Sequence, residues 1–226
     1  MKILAINGSP RKQWNTADML GAAVAMAKQE GAEAELVHLC DLHYKGCRSC
    51  FACKCIGGAS FGRCVLRDEL SPVLEKILEA DVVLFGQPIY FGHISSDMWA
   101  LLERLWFAGM NYDKTYSSNY PRNVVCGMIF TMNAPNEIAE KMYGALIAHL
   151  CSNMSRQVGP TESFLVTNTL QFNDYDKYLS TAFDAQAKRD WHENEYPKQK
   201  ANMLAWVKRL MAQAAKKSCA RESMHE

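Results

Sequence analysis

The sequence predicts an α/β protein built on one doubly wound parallel sheet with helices on both faces. Three observations lead to this class. Strand and helix signals alternate five times, the predicted strands are continuous apolar runs, and no repeat or low-complexity linker interrupts the series. Continuous apolar strands are typical of a parallel sheet, because helices cover both of its faces.

Each strand is predicted by a short run of β-branched and other apolar residues. These runs are bounded by glycine, proline or polar residues, as buried strands usually are. The predicted strands span residues 2–7, 35–39, 82–86, 123–131 and 162–167. Five strands suit the flavodoxin-like order better than the six-stranded dinucleotide-binding fold.

The helices are predicted from capping residues and apolar periodicity. They span residues 15–30, 71–80, 95–107, 135–156, 175–191 and 197–216. Asn15 or Thr16 is expected to cap the first helix, and Gly31 to end it. Ser71 is expected to cap the second helix. Pro197 is expected to break the C-terminal helices, which begin near residue 175.

Composition excludes several classes of protein. The chain has 226 residues, 49% of them apolar, and its 25 basic and 24 acidic residues leave a net charge of +1. At roughly 150 residues per domain, this length fits a single domain over residues 1–226. The near-neutral charge argues against a nucleic-acid partner. No apolar run approaches the roughly 18 residues of a membrane span, and the apolar start is too short for a secretory signal. We therefore expect a cytoplasmic protein without a membrane partner.

The loop after the first strand has the composition of an anion site. It joins a strand to a helix N-terminus, where backbone N–H groups and the helix dipole favour a phosphate. Ser9 and Thr16 add hydroxyls, Asn15 an amide and Arg11 a charged fork of donors. Neither a Walker A loop nor a Gly-x-Gly-x-x-Gly fingerprint is present. The alternative is a polar turn before a capped helix.

The loop after the third strand carries two aromatic residues. Pro88, Ile89, Tyr90 and Phe91 follow the buried run 82–86. Aromatic side chains just outside a buried strand form a platform for a flat ring system. The alternative is that Tyr90 and Phe91 pack beneath a helix.

Together these motifs resemble the NADPH-dependent FMN reductase family. The similarity covers about residues 1–171, in the same order, and within the family it points to the iron–sulfur flavoprotein branch. It is carried by Gly-Ser-Pro-Arg-Lys from residue 8 with Asn15-Thr16, Gly46 with spaced cysteines, Ala-Asp-Val-Val from residue 80, Pro-Ile-Tyr-Phe from residue 88, and Glu103-Arg104. The resemblance implies FMN as cofactor and NAD(P)H as co-substrate. It also places the FMN phosphate in loop 9–16, the isoalloxazine along residues 88–91, and Thr131, Met132 and Asn133 at the flavin or its ribityl chain.

Five of the nine cysteines fall between residues 47 and 64, within the cysteine-rich loop over residues 40–66. In a reducing compartment, clustered cysteines more often bind metal or do redox chemistry than form disulfides. Cys47, Cys50 and Cys53 have the two-residue spacing that lets sulfurs converge on one cluster. Cys64 is the expected fourth ligand of a [4Fe–4S] cluster, although ten residues separate it from Cys53, a longer gap than the resembling branch has. Cys55 is the rival ligand, and zinc or free thiols are the alternatives to a cluster.

The resemblance implies a flavoenzyme that passes electrons from NAD(P)H to a small-molecule or protein acceptor. The cofactor carries the chemistry, so no side chain is assigned as acid or base. One alternative is an electron-transfer module that a ferredoxin-like partner feeds, with no NAD(P)H oxidation of its own. Another is a zinc-stabilised binding protein without flavin.

The tyrosine-rich loop 111–122 predicts an oligomer. Tyr112, Tyr116 and Tyr120 exceed what a solvent loop needs, and tyrosine is enriched in interface cores. In the resembling family, FMN sites lie at subunit boundaries. We therefore expect a homodimer or homotetramer.

Overall fold

A computed structural model describes residues 1–121 and 123–222, with side chains up to residue 217. Arg122, the last residue of the predicted loop 111–122, lies outside the described residues. The strands are β1 (Lys2–Asn7), β2 (Glu33–His38), β3 (Val82–Tyr90), β4 (His93–Ile94), β5 (Val125–Thr131) and β6 (Thr161–Val166).

Five of these strands form one parallel sheet in the order β2-β1-β3-β5-β6, and the two-residue β4 pairs antiparallel with the end of β3. This is the flavodoxin-like order, so the predicted fold class is confirmed. The chain crosses from β2 over β1 to β3. The topological switch point, where such folds bind ligands, therefore lies between β1 and β3.

Helices cover both faces of the sheet. They are α1 (Asn15–Gln29), α2 (Ser71–Glu79), α3 (Ser96–Gly109), α4 (Asn136–Gln157), α5 (Ala185–Asn194) and α6 (Tyr196–Glu222). The buried faces of α1 and α6 form one core with the sheet, and those of α2, α3 and α4 form the other. Each fully buried aliphatic side chain stabilises the fold by about 1.5–3 kcal/mol. Among the described helices, none is long and apolar enough to cross a membrane.

Two predicted helix caps are wrong. The residue before α1 is Trp14, and Asn15 is the first helical residue, whose side chain donates to the carbonyl of Leu170 at 3.0 Å. Ser71 likewise lies inside α2 after Leu70, and its hydroxyl donates to the Leu66 carbonyl at 2.7 Å. Asn15 thus bonds to a distant segment, and Ser71 bonds to the turn just before α2, in place of capping the helix.

The third strand is longer than predicted. The expected turn from residue 87 to residue 93 is instead the end of β3, a tight bend at Phe91 and Gly92, and the start of β4. Pro88 argues against a central strand because it lacks an N–H group. However, β1 ends with Asn7 opposite Gly86, and β4 pairs only with Ile89 and Tyr90, so Pro88 has a partner strand on the β5 side alone and is tolerated.

The predicted helix over residues 175–191 is also wrong. One 3-10 turn, Tyr175–Lys177, is followed by irregular chain, and α5 begins only at Ala185. Asp184 begins α5 by accepting the N–H groups of Gln186 and Ala187. The predicted break near Pro197 is confirmed: α5 ends at Asn194, Glu195 separates the helices, and Pro197 stands in the first turn of α6, where its missing N–H costs nothing.

Candidate functional site

Three loops meet at the carboxyl edge of the sheet, after β1, β3 and β5. The N–H of Gly8 donates to the carbonyl of Gly86 at 2.8 Å, which joins the first two loops at the switch point. A Cβ at Gly86 would lie 2.6 Å from Leu20 and 3.0 Å from Thr16. Glycine at this position therefore lets the first turn of α1 lie directly on β3.

Thr16 and Thr131 join the first loop to the third. Their hydroxyl oxygens are 2.7 Å apart, and both residues are buried. Ser9 is also buried, and its hydroxyl accepts the N–H of Arg11 at 3.2 Å. Asn7 holds Ser9 from both sides, because its side chain accepts the Ser9 N–H and donates to the Ser9 carbonyl. The structure thus brings Thr16 and Thr131 together, and it fixes Ser9 in the same loop through Asn7 and Arg11.

Arg11 and Asn15 bond to a segment that the sequence did not suggest. Arg11 donates to the carbonyl of Gln171 at 2.9 Å, and its guanidinium lies 3.7 Å from the centre of the Trp14 ring. Asn15 and the Trp14 indole both donate to the carbonyl of Leu170. Burial lowers the pKa of Arg11 from its ordinary value, yet an arginine stays charged at neutral pH. The segment after β6 therefore orients the cation of the anion loop.

The N-terminus of α1 is open toward a ligand. No side chain caps the helix at Trp14. The first N–H groups of a helix need acceptors, and with the helix dipole they favour a phosphate or carboxylate. With Arg11 beside it, this helix start suits the phosphate of a nucleotide.

Tyr90 and Phe91 do not pack beneath a helix. Tyr90 is 40% exposed and Phe91 is fully exposed, at 111% of the reference area. Phe91 has a φ of +49°, which holds its ring outward at the bend between β3 and β4. Pro88 and Ile89, expected in the same loop, lie within β3, with Pro88 opposite Thr131. The aromatic surface is thus a two-residue tip at the carboxyl edge.

Two buried polar side chains near this edge have no hydrogen-bond partner among the described residues. Both amide atoms of Gln87 are buried in β3, immediately before Pro88, and Oδ1 of Asn133 is buried after β5. Buried polar groups are normally satisfied, so such atoms point to a bound group or ordered water. These orphaned atoms fit a polar cofactor such as FMN at this edge.

Lys188 contacts the backbone of the candidate site residue Asn133, which the sequence did not indicate. Its ammonium donates to the carbonyl of Asn133 at 2.7 Å and to Oδ1 of Asn168. The side chain is buried, and burial lowers its pKa to about 8. No sequence signal marks this residue, because a lysine on an amphipathic helix normally faces solvent.

The four cysteines expected to bind a cluster line one narrow cavity. Cys47, Cys50, Cys53 and Cys64 all contribute to its wall, and the exposed Cys55 does not. The N–H of Gly62 donates to the carbonyl of Cys53 at 2.9 Å, which folds the loop back and returns Cys64 to its neighbours.

The backbone around Cys50 is strained. Ser49 and Phe51, on either side of it, have φ values of +50° and +57°. Such values are uncommon for residues with side chains and are often found where a site is being shaped. Burial raises the pKa of the Cys53 thiol, which the charge of Lys54 opposes and those of Cys64 and Cys47 reinforce. The loop thus places thiols within electrostatic reach of one another.

The cysteine cavity has the donor atoms that a cluster needs, but its volume is small. In the described part of the chain, no three His, Cys, Asp or Glu side chains are arranged to hold one metal ion. The cavity measures about 20 Å³, so the loop would have to widen to admit a cluster. Four thiols are the donor set of a [4Fe–4S] cluster. Arg104 lines the same cavity, and its buried Nε has no partner among the described residues.

The tyrosines of the loop before β5 have different environments. Tyr112 and Tyr116 are 62% and 48% exposed. Tyr120 instead packs against Gly109 and donates to the carbonyl of Leu105 at 2.8 Å. Tyr120 is therefore partly buried within the chain, whereas Tyr112 and Tyr116 expose more of their surface.

Comparison with known proteins gives relatives with named cofactors. An iron–sulfur flavoprotein of Archaeoglobus fulgidus is 35% identical over 170 residues, 75% of this chain and 78% of the relative. An iron–sulfur flavoprotein of Methanosarcina thermophila is 35% identical over 104 residues, 46% of this chain and 52% of the relative. The matched region thus spans about half the length of the second relative.

Solved structures support the fold. RosB, with a bound derivative of riboflavin 5′-phosphate, superposes with a TM-score of 0.61 at 19% identity, over 100% of this chain and 87% of RosB. An NAD(P)H:quinone oxidoreductase from Methanothermobacter marburgensis gives 0.60 at 12% identity, over 92% and 96%. The model of the NADPH-dependent FMN reductase family matches residues 1–149. By its sheet order, its carboxyl-edge loops and this match, the chain belongs to the NADPH-dependent FMN reductase family.

Proposed function

We propose that this chain is an FMN-dependent oxidoreductase that takes electrons from NAD(P)H and passes them to a small-molecule or protein acceptor. The observation that carries the proposal is the hydrogen bond between Thr16 and Thr131, which brings the anion loop and the loop after β5 to one point at the switch point. The family match and the flavoprotein relatives support FMN as the cofactor.

The residues of this chain would hold FMN at three places. Ser9, Arg11 and the open start of α1 would bind the phosphate, with Asn15 and Thr16 shaping that turn. The strand end at Pro88 and Ile89, with the rings of Tyr90 and Phe91, would lie along the isoalloxazine. Thr131 and Asn133 would face the flavin or its ribityl chain. When bound, FMN supplies hydride acceptance and electron release.

We further propose that Cys47, Cys50, Cys53 and Cys64 ligate a [4Fe–4S] cluster. The shared cavity and the iron–sulfur flavoprotein relatives support this assignment. The same cavity favours a second candidate function, an electron-transfer flavoprotein fed by a ferredoxin-like partner, because simple oxidation of NAD(P)H by FMN needs no cluster.

One anaerobic experiment tests these functions. The protein is reconstituted with FMN, iron and sulfide, its absorption spectrum and its iron and sulfide contents are recorded, and NADPH or NADH is then added. Rapid loss of flavin absorbance supports the NAD(P)H oxidoreductase. A flavin that only a reduced ferredoxin bleaches supports the electron-transfer function. No saturable binding of FMN would overturn both.

We also propose a homodimer or homotetramer. Tyr90 and Phe91 at the flavin edge, and Tyr112 and Tyr116 before β5, expose aromatic surface of the kind that interfaces bury. Light scattering at micromolar concentration with FMN present should give at least twice the mass of one chain. A monomer under these conditions would refute the assembly.

A further inference from the structure

Arg104 is a fully buried cation beneath the cysteine loop. It lies on α3 with its side chain at 0% exposure. Burying a guanidinium is costly unless charge and hydrogen bonds compensate it. Asp68 supplies the charge, with an oxygen 2.6 Å from Nη1. Arg104 is therefore a buried, paired cation, unlike an ordinary helix arginine, which faces solvent.

The contacts of Arg104 join the two ends of the cysteine loop. On the side that enters the loop, Nη1 donates to the carbonyl of Lys45 at 3.3 Å. On the side that leaves it, Nη2 lies 3.5 Å from the carbonyl of Leu66, and Nη1 bonds to Asp68. One planar group thus ties residue 45 to residues 66–68. These points lie just outside the first and last of the four cysteines.

Neighbouring residues of α3 reinforce the same connection. The Glu103 carboxylate accepts the N–H of Cys47 at 3.2 Å. Lys54, from the middle of the loop, donates to the carbonyls of Phe107 and Ala108 at the end of α3. A cation is favourable there, because the helix dipole is negative at its C-terminus. The loop is therefore held on α3 at its base and at its centre.

Two consequences follow for the cavity. Closing the base brings Cys64 next to the other thiols, although the intervening segment is long. Arg104 also lines the cavity, and its buried Nε has no partner among the described residues. A cluster held by four thiolates is anionic and becomes more so on reduction. A buried cation and an N–H donor therefore favour its reduced state.

Resting on the proposed cluster, we propose that Arg104 is a positioning residue of the cluster site: it closes the cysteine loop so that Cys64 joins the other three ligands, and its guanidinium raises the reduction potential of the cluster. Hydrogen bonds and charge near the sulfurs are established determinants of such potentials.

The test compares Arg104→Met and Arg104→Lys with a matched control, Arg63→Met. Methionine keeps much of the stem and removes the charge, and lysine restores the charge without the planar fork. Arg63 is next to Cys64 but is exposed, pairs with Glu75 and does not line the cysteine cavity. Bound FMN in each variant reports that the fold is intact.

Two readouts are measured on each variant. In FMN-loaded protein without iron, a thiol oxidant is added, and mass spectrometry counts the disulfides that join Cys64 to Cys47, Cys50 or Cys53. In protein reconstituted with iron and sulfide, electron paramagnetic resonance follows a redox titration of the cluster.

We expect Arg104→Met to lower the yield of Cys64 disulfides several-fold and to lower cluster content or potential. Arg104→Lys should recover part of each, and Arg63→Met should match the wild type. Wild-type disulfide yield in Arg104→Met would overturn the closing role, and an unchanged potential would overturn the electrostatic role. If Arg104→Met no longer binds FMN, Arg104→Lys is compared with the wild type instead, by the same disulfide yield and cluster potential. If wild-type protein takes up no cluster, the proposed cluster and its tuning fail, while the disulfide readout still decides the closing role.

Discussion

The hydroxyl oxygens of Thr16 and Thr131 lie 2.7 Å apart, although 115 residues separate them in the sequence. The bond links the first turn of α1 to the end of β5 across the switch point. Thr131→Val keeps the shape and removes one partner, which leaves the Thr16 hydroxyl buried without a bond. We expect a loss of about 1–3 kcal/mol in unfolding free energy and several-fold weaker FMN binding, measured by denaturation and by flavin fluorescence.

Thr161→Val is the matched control for this change. The Thr161 hydroxyl donates to the carbonyl of Gly159 at 2.8 Å, at the first residue of β6 and thus at the opposite edge of the sheet. Its loss should reduce stability without changing FMN affinity. Equal effects of the two variants on FMN affinity would show that the Thr16–Thr131 bond has no local role in the site.

Arg11 should carry a large part of the FMN affinity. Its guanidinium is fixed by the Gln171 carbonyl and the Trp14 ring beside the open start of α1. A hydrogen bond to a charged group is worth about 1.5–3 kcal/mol. Arg11→Ala should therefore raise the dissociation constant of FMN about 10- to 150-fold, measured by titrating apoprotein.

Lys12→Ala gives the control for Arg11 from the adjacent position. The Lys12 ammonium already pairs with Asp41 at 2.9 Å, and both side chains are about half exposed. An exposed pair of this kind contributes about 0–1 kcal/mol, so the variant should bind FMN nearly as well as the wild type. Similar losses in both variants would assign the effect to net charge rather than to Arg11.

The fold could be predicted because continuous apolar runs mark its strands. The alternation of strands and helices then limits the sheet to few topologies. The errors came from contacts outside the helices. Asn15 donates to Leu170, far along the chain, and Ser71 donates to Leu66 in the turn before α2, so neither caps its helix. Pro88 lies in a strand because its neighbour β1 has already ended, which no local pattern can reveal.

The candidate site likewise has residues that the sequence indicates and residues that only the structure reveals. The residue types of the anion loop could be recognised from the sequence, because phosphate binding requires donors at a helix start. The partners of that loop in the segment 170–171 depend on the packing after β6 and carry no sequence signal. Lys188 is hidden for the same reason. Tyr120, expected at an interface, donates its hydroxyl to the Leu105 carbonyl of its own chain, and the assembly itself stays a prediction.

Lys188 should make stability depend on pH in the alkaline range. Burial lowers its pKa to about 8 in the folded protein, from 10.5. Between these values the unfolded chain keeps a proton that the folded chain has lost. The unfolding free energy should therefore rise with pH, by up to about 1.4 kcal/mol per pH unit. Below this window both states are protonated, and the contribution is constant.

Urea denaturation of FMN-free protein at several pH values between about 7 and 10 measures this effect. Lys188→Met should remove the rise, so the wild type gains stability relative to the variant as the pH increases. Lys208→Met, at an exposed lysine that pairs with Glu30, should follow the wild-type profile. If the unfolding free energies of the wild type and Lys188→Met change with pH in parallel, the lowered pKa of Lys188 is contradicted.

Cys64 and Cys55 make the sharpest comparison for the proposed cluster. Cys64 lines the cavity with the other three cysteines, whereas Cys55 is exposed and lies outside it. One intervening residue after Cys53 also makes it hard for both sulfurs to reach separate irons. After anaerobic reconstitution, Cys64→Ser should lose the cluster, and Cys55→Ser should keep wild-type iron and sulfide. FMN binding should survive in both, because the flavin loops lie on other elements. Cluster loss in Cys55→Ser alone would show that Cys55 is the fourth ligand. Zinc in place of iron in the wild type would refute the cluster but would leave the flavin assignment unchanged.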